Sequence, residues 1–252
     1  MLAVSAGLIA GAAERVAGEQ RQRGNLVVSL DGSIAPLKLP RDRPAPVSVR
    51  LEGGLRTDDG SLLPRVERIE LGLPRRGVLD GRGLPTCSPR RLRYATTEGA
   101  LEACGPALVG RGRLDAKVVL PSQAPFAIHA RLLAFNARLD GRAAVVVHGF
   151  APEPVTIAVL VFAVRGGRGE LGTTLVAELP RALGPWPRVA RFRMTLGRRF
   201  THRGERRSYL RASCPLPPRL TAGFFPLAST SFELAGGRRL GTEIIRGCRA
   251  AD

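Results

Sequence analysis

The segment from Arg188 to Arg211 holds nine arginines and is the most concentrated basic segment of the sequence. Alternation with apolar residues places Arg191 and Arg193 together on the solvent face of one strand. Arg203-Gly204 predicts a tight turn, so the remaining arginines gather about a hairpin tip. A basic β-ribbon of this kind can bind polyanions, and the alternative is an ordinary solvated strand face. The predicted binding residues of this segment are Arg191, Arg193, Arg198, Arg199, Arg206 and Arg207.

Aromatic side chains near the same segment extend this hypothesis to sugars and bases. Phe200 and Tyr209 lie within the hairpin, where they either stack on a ligand or pack into the core. Trp186 lies in Gly184-Pro185-Trp186-Pro187, a rigid loop that can present the indole to a sugar face. The alternative for Trp186 is a side chain that closes the open end of the core.

Nucleophilic hydrolysis requires an activated Ser or Cys with a base and an orienting acid, and the sequence has no G-x-S-x-G. His129, His148 and His202 are scattered along the chain. His148 follows the apolar residues Val145–Val147, so it is either a base at a strand end or a histidine hydrogen-bonded at a sheet margin. The second interpretation is the commoner one, and no catalytic residue is predicted.

Carboxylates and glycine loops give no stronger signal for an enzyme. Glu67 and Glu70 point to opposite faces of a strand, which makes them a poor acid–base pair. Asp58-Asp59-Gly60 reads as a turn without the spaced oxygen ligands of a calcium loop. Gly166-Gly167-Arg168-Gly169 lacks the lysine and the helix of a phosphate-binding loop. No metal and no cofactor are therefore predicted, while a hydrolase site built from distant strands stays open.

Four cysteines, at positions Cys87, Cys104, Cys214 and Cys248, allow three pairings. The simplest pairing is local, Cys87 with Cys104 and Cys214 with Cys248, because each pair then brackets one compact segment. A zinc site is the alternative, but the chain has neither C-x-x-C nor a Cys/His cluster with zinc spacing. Two disulfides predict an oxidising compartment.

The formal net charge is +18, and the positive charge is almost entirely arginine. Such an excess suits a polyanionic partner such as nucleic acid, acidic polysaccharide or an anionic envelope component. The alternative is that a GC-rich genome encodes Arg where another encodes Lys. Acidic residues are interspersed along the chain, so the composition alone shows no patch.

Apolar residues at every second position predict strands with one buried face throughout the chain. The fold class is therefore all-β, an antiparallel two-layer β-sandwich with one short helix over Glu98–Cys104 capped by Thr97. Hairpin turns are predicted at Asp140-Gly141, Arg203-Gly204 and Gly236-Gly237. The alternating sets are Leu26/Val28/Leu30, Val47/Val49/Leu51, Ile69/Leu71/Leu73, Leu114/Ala116/Val118/Leu120 and Ala190/Phe192/Met194/Leu196. Two runs apolar on both faces, Ala143–Val147 and Val155–Val164, predict central strands.

Residues 1–23 read as an apolar leader, with Leu2–Ala13 as a signal-peptide core and Ala10-Gly11-Ala12 as a cleavage sequence, although no basic residue precedes it. Residues 24–252 form the β domain, with a boundary near 121–125 if the domain has two lobes. The longest later apolar run suits a strand rather than a membrane span.

Five short sequences in the chain carry a resemblance to a known group. They are Gly83–Cys87, Cys104–Gly110, Leu133–Asn136, Leu196–Phe200 and Ser208–Pro215. With these sequences, the chain over residues 24–249 resembles uncharacterised exported proteins of GC-rich actinobacteria. The resemblance implies export, disulfides and a bacterial source, and implies no activity.

The sequence thus favours a non-catalytic secreted or cell-envelope protein with a binding or structural role. The alternatives are a polyanion- or carbohydrate-binding module that uses the Arg188–Arg211 hairpin, and a hydrolase or lipid-binding protein with a cavity between its sheets.

Overall fold

The computed structural model describes residues 18–167, 169–179 and 187–251, and this part of the chain is mostly β-structure. One short α-helix, α1 (Thr97–Cys104), and two 3₁₀ turns, Pro89–Leu92 and Gly105–Ala107, complete the regular structure there. In chain order the strands are β1 (Glu19–Arg23), β2 (Leu26–Ala35), β3 (Lys38–Pro40), β4 (Ala45–Pro46), β5 (Ser48–Thr57), β6 (Val66–Pro74), β7 (Gly77–Leu79), β8 (Leu108–Val118), β9 (Phe126–Leu139), β10 (Arg142–Pro152), β11 (Val155–Gly166), β12 (Leu171–Glu178), β13 (Pro187–Leu196), β14 (Arg199–His202), β15 (Glu205–Ser208), β16 (Leu210–Ala212), β17 (Ala222–Leu234) and β18 (Arg238–Ala251).

Thirteen of these strands form one sheet in the order β1-β2-β5-β13-β8-β9-β10-β11-β12-β6-β17-β18-β3. Neighbouring strands are antiparallel, except that β3 runs parallel to β18 at one edge. The predicted all-β, antiparallel class with one short helix is therefore confirmed. β13 enters the sheet between β5 and β8, a position that no local pattern in the sequence specifies.

The large sheet curls, so that β2 lies against β17 and β18 although many strands separate them in the ladder. Strand twist makes such curling the normal behaviour of a long sheet. Its inner face supplies Leu30, Leu51, Leu132 and Ile244 to one core cluster. This shared core explains why alternating apolar residues on distant strands are buried together.

A small inner layer fills the curl. Strands β4, β16 and β7 form a three-stranded sheet whose Leu210 and Ala212 belong to the same core cluster. The Cys214–Cys248 disulfide ties the chain after β16 to β18, with the two Cα atoms 6.0 Å apart. The inner layer is thus fixed both by apolar contact and by a crosslink.

A cap covers the opposite, outer face of β9 and β10. It contains α1 and is closed by the Cys87–Cys104 disulfide, with a Cα–Cα distance of 5.5 Å. Leu92 and Ala100 from the cap pack on Phe135 and Val146 from the sheet. Both predicted disulfide pairings are confirmed, and each closed loop stabilises the fold by roughly 3 to 4 kcal/mol in the loop-entropy model.

The predicted helix is confirmed, but its cap lies one residue earlier. The Oγ1 atom of Thr96, rather than Thr97, accepts a hydrogen bond of 3.2 Å from the Gly99 backbone N–H. Thr97 is instead the first helical residue and is buried. Thr96 is the cap because a cap residue has extended backbone, and Thr96 has ψ of 177°.

Turn chemistry predicts the hairpins well. Asp140 and Gly141 have φ of 50° and 75° and join β9 to β10, as the type I′ turn requires. Gly236 and Gly237, with φ of 82° and 72°, join β17 to β18. A short turn at Glu153-Pro154 joins β10 to β11.

The predicted alternating apolar residues face the protein interior, as in β2, where Leu26, Val28 and Leu30 are all buried. Of the two doubly apolar runs, Ala144–Val146 in β10 is buried on both faces, whereas β11 is mostly half-buried. The difference arises because the cap covers β10 and only part of β11.

The expected leader and the expected lobe boundary fall near β1 and between β8 and β9. Residues 1–17 of the expected leader lie outside the described residues, whereas Glu19–Arg23 form β1 and pair with β2. Residues 121–125 lie in the connection between β8 and β9, which pair with each other. No helix in the described part of the chain is long and apolar enough to cross a membrane.

Candidate anion-binding site on the arginine hairpin

Strands β14 and β15 form a separate two-stranded ladder, which we call the arginine hairpin (Arg199–Ser208). Arg203 and Gly204 have φ of 51° and 81°, so the tight turn forms where the sequence predicts it. Directly opposed residues share a face of a ladder, which places Phe200 with Arg207 and Thr201 with Arg206. The two faces of the hairpin therefore carry different arginines.

Phe200 and Arg198 fix the base of the hairpin on the body of the protein. Phe200 packs against the main core cluster. At the base, the Arg198 guanidinium donates Nη1–H to the carbonyl oxygens of Gly105 and Leu108, at 3.1 and 2.8 Å. Arg198 is thus a structural residue, because its guanidinium group is bound to backbone carbonyl oxygens of the protein itself.

The far end of the hairpin lies on the loop after β7. Gly83 has φ of +85°, and a Cβ atom at this position would overlap the His202 ring. Only glycine satisfies both the backbone conformation and the close approach. Gly83 therefore determines how closely the hairpin tip sits on the protein.

Asp80, the first residue of the same loop, organises the charges beneath the hairpin. Its side chain is only 5 % exposed and accepts hydrogen bonds from Arg82 Nε and backbone N–H, at 3.1 and 3.2 Å. Arg207 Nη1 lies 3.8 Å away and also pairs with Glu205 at 3.0 Å. Burial raises the pKa of Asp80, but the Arg82 hydrogen bonds and the charges of Arg82 and Arg207 hold it below 3.8. Asp80 is therefore an ionised anchor for two guanidinium groups.

Two adjoining grooves, with volumes of about 480 and 400 Å³, open beside the hairpin and share Pro46, Arg206 and Arg207. We call them the hairpin grooves. Together they are lined by five arginines and two carboxylates, those of Asp80 and Glu205. The arginines of the hairpin grooves are Arg82, Arg199, Arg206, Arg207 and Arg211.

The arginines of the grooves differ in how far the protein itself satisfies them. Arg211 donates to the Pro44 carbonyl oxygen from Nη2 at 2.8 Å. Arg199 and Arg206 are exposed, and within residues 18–167, 169–179 and 187–251 they have no carboxylate partner. These two guanidinium groups remain available for an external anion, held at fixed positions by the ladder.

The structure does not bring all the predicted binding residues together. Arg191 and Arg193 lie on β13 in the large sheet, where both pair with Glu52; Arg193 Nε is 2.6 Å from its carboxylate. Arg199, Arg206 and Arg207 meet at the hairpin grooves. Trp186 lies outside the described residues.

Aromatic stacking contributes little at the grooves. Tyr209 is 3 % exposed within the core, and this burial raises the pKa of its hydroxyl. Phe200 is half-buried and lines only one groove. The grooves therefore present charge and hydrogen-bond donors rather than aromatic faces.

His148 lies on β10 beneath the cap and is completely buried. Its Nε2 lies 2.8 Å from the Ala95 carbonyl oxygen, which makes Nε2 the donor. Burial lowers the pKa of His148, and the hydrogen bond to Ala95 opposes this shift.

The carboxylates considered for catalysis form ion pairs: Glu67 pairs with Arg65, and Glu70 pairs with Arg68. Within the described residues no group of three or more His, Cys, Asp or Glu side chains is placed to hold a metal ion.

Sequence reasoning missed Asp80 and Arg82 as members of the site. Asp80-Gly81-Arg82 carries a local signal, an acidic and a basic residue around a glycine turn, but it is far from the hairpin in sequence. Only the pairing of β16 with β7 brings the Asp80–Arg82 turn next to the hairpin, through pairs such as Leu210 with Leu79.

Comparison with protein-family models, with curated proteins and with solved structures gives no match for this chain.

Proposed function

We propose that this chain is a non-catalytic binding protein of an extracytoplasmic compartment, and that it binds a sulfated or phosphorylated polymer at the hairpin grooves. The convergence of five guanidinium groups on two adjoining grooves carries the proposal. Two of them, those of Arg199 and Arg206, have no carboxylate partner in the described part of the chain. Guanidinium forks bind such anions through paired, charge-assisted hydrogen bonds.

The compartment follows from the crosslinks. Both disulfides are formed, and structural disulfides persist in oxidising environments. The expected leader and the resemblance to exported actinobacterial proteins agree with secretion or attachment to the cell envelope. In this proposal the curled sheet is flattened into two facing layers, a β-sandwich, which serve as a rigid support for the hairpin.

The chemistry of the grooves favours recognition by charge. Their lining contains one half-buried aromatic ring, that of Phe200, so stacking on sugars or bases is a minor contribution. The ligand class is therefore one whose charges are dense, such as a sulfated glycan. An interaction of this kind weakens steeply as salt rises, because counterions compete for the arginines.

Salt-dependent retention on immobilised heparin tests the proposal. The variant Arg199→Ser/Arg206→Ser removes the two unpaired guanidinium groups and leaves Arg198 in its structural role. We expect the slope of log affinity against log salt to fall by about two, close to one for each arginine removed.

The matched control is Arg90→Ser/Arg91→Ser, which removes the same charge from exposed residues of a 3₁₀ turn in the cap. We expect this control to change the slope by much less. Equal loss in both variants would show that overall charge drives retention, and an unchanged slope in the hairpin variant would remove the grooves as a site.

A further inference from the structure

A second set of arginines lies on the outer face of the large sheet, away from the hairpin grooves. Arg193 on β13 pairs directly with Arg113 on β8, and Arg113 pairs directly with Arg131 on β9. We call these three residues the arginine row. Each points outward, because its neighbours Met194, Leu114 and Leu132 face the core.

The arginine row has little internal neutralisation. Glu52 lies opposite Arg193 at one end and pairs with it. Arg113 and Arg131 are exposed and have neither a carboxylate nor a hydrogen-bond partner among the residues that the structure describes. Arg111 lies two residues before Arg113 on the same face of β8. It is also exposed and has no such partner among the described residues.

A neighbouring row of the same strands shows the contrast. There Arg191 opposes Asp115, and Asp115 opposes His129 with a ring-to-carboxylate distance of 2.7 Å. Alternating signs across strands stabilise a sheet, whereas like charges directly opposite one another destabilise it. The arginine row therefore works against the stability of the sheet that carries it.

We propose that the arginine row, with Arg111 beside it, binds a linear acidic polysaccharide that lies across strands β13, β8 and β9. This goes beyond the function proposed for the hairpin grooves and depends on different residues. Neighbouring strands are about 4.8 Å apart, so the row offers one guanidinium per strand along a line. A polyuronate carries one carboxylate per sugar ring and presents its charges at a comparable repeat.

Two observations favour an acidic polysaccharide over a nucleic acid. The disulfides place the protein in an oxidising compartment, where nucleic acid is not the usual polyanion. Single-stranded nucleic acid is bound on platforms with several aromatic side chains. Along this row the structure shows one aromatic residue, the half-buried Phe150 opposite Arg131.

Fluorescence anisotropy with labelled polygalacturonate fragments tests this inference on the full chain. The variant Arg113→Ser/Arg131→Ser removes two charge-assisted guanidinium–carboxylate contacts, so it is expected to lower affinity roughly tenfold or more at low salt. Trigalacturonate should bind the unaltered protein more tightly than the monomer, because it reaches three strands. The hairpin variant Arg199→Ser/Arg206→Ser and the control Arg90→Ser/Arg91→Ser should leave this affinity within about twofold, because distant charges are screened and act independently.

Thermal unfolding of each variant shows whether it is folded, and removal of opposed like charges should not destabilise the sheet. Unchanged affinity in Arg113→Ser/Arg131→Ser would overturn the inference. So would a loss of the same size in the control, or tighter binding of single-stranded DNA of equal charge through the same two arginines. Failure of the heparin test at the hairpin grooves would leave this result intact, since the two variants share no residue.

Discussion

The two arginine surfaces of this protein, the hairpin grooves and the arginine row, hold their positive charges in different ways. At the hairpin grooves, Asp80 beneath the surface holds Arg82 and lies near Arg207, so part of the positive charge is organised by a buried carboxylate. On the sheet face, Arg113 and Arg131 are aligned by strand register alone. One surface is concave and internally braced, and the other is open and repulsive.

This difference teaches that a count of arginines does not identify a binding surface. Arg191 and Arg198 belong to the same basic segment as Arg206, yet Glu52 neutralises the first and backbone carbonyls occupy the second. What matters is which guanidinium groups the fold leaves unsatisfied and whether they face the same space. Five experiments test this comparison.

The variant Asp80→Asn should have the largest effect. It removes a nearly buried carboxylate that accepts charge-assisted hydrogen bonds, so we expect a loss of about 2 kcal/mol in the free energy of unfolding by urea. Heparin retention should also weaken, although the net charge rises by one. Stronger retention would show that charge, and not its organisation, determines binding at the grooves.

The variant Gly83→Ala tests the docking of the hairpin. The added Cβ meets the His202 ring at a backbone φ of +85°, so we expect a loss of about 1.5 kcal/mol in stability. The grooves should open and heparin affinity should fall. Gly204→Ala is a useful comparison, because it also has positive φ but has open space around it. If both variants lose equal affinity, the contact with His202 does not position the grooves.

Acid should weaken the grooves through Asp80. Because the pKa of Asp80 in the folded state lies below its ordinary value of 3.8, its contribution to stability is present above 3.8. That contribution is lost as the pH falls through the lower, folded-state pKa. Urea midpoints measured between about pH 5 and pH 2 should therefore fall more for the unaltered chain than for Asp80→Asn. Parallel curves would contradict an ionised, charge-anchoring Asp80.

The variant Glu52→Gln tests the comparison at the sheet face, where Glu52 pairs with two arginines. It releases Arg191 and Arg193, so the sheet face should bind polygalacturonate several-fold more tightly. The free energy of unfolding should fall by about 1 kcal/mol, because an arginine row without its acid is more repulsive. Heparin binding at the hairpin grooves should change little, and an equal gain at both surfaces would argue against separate sites.

The variant Arg131→Ser should have the smallest effect on stability and the opposite sign. Removal of one of two directly opposed like charges should raise the free energy of unfolding by about 0.5 kcal/mol. The gain should shrink as salt screens the repulsion, which thermal unfolding at two ionic strengths can measure. A loss of stability would mean that Arg131 has a structural partner.

Much of the local structure was predictable because short-range forces decide it. Period-two alternation identified the buried faces of β2 and β5, and glycine chemistry placed the turn at Asp140-Gly141. The helix cap was misplaced by one residue because Thr96 and Thr97 are chemically equivalent candidates. Only backbone geometry distinguishes them.

The sequence by itself predicted most of the long strands and the hairpin turns, since each depends on neighbours along the chain. It offered the observed cysteine pairing as the simplest of three, and the structure selected it. Only the tertiary structure decided that β13 lies between β5 and β8, and therefore that Arg193, Arg113 and Arg131 stand in one row. It also decided that Asp80 lies beneath a hairpin from the far end of the chain. The physical reason is that strand order minimises exposed apolar surface over the whole molecule, and each local pattern is compatible with several orders.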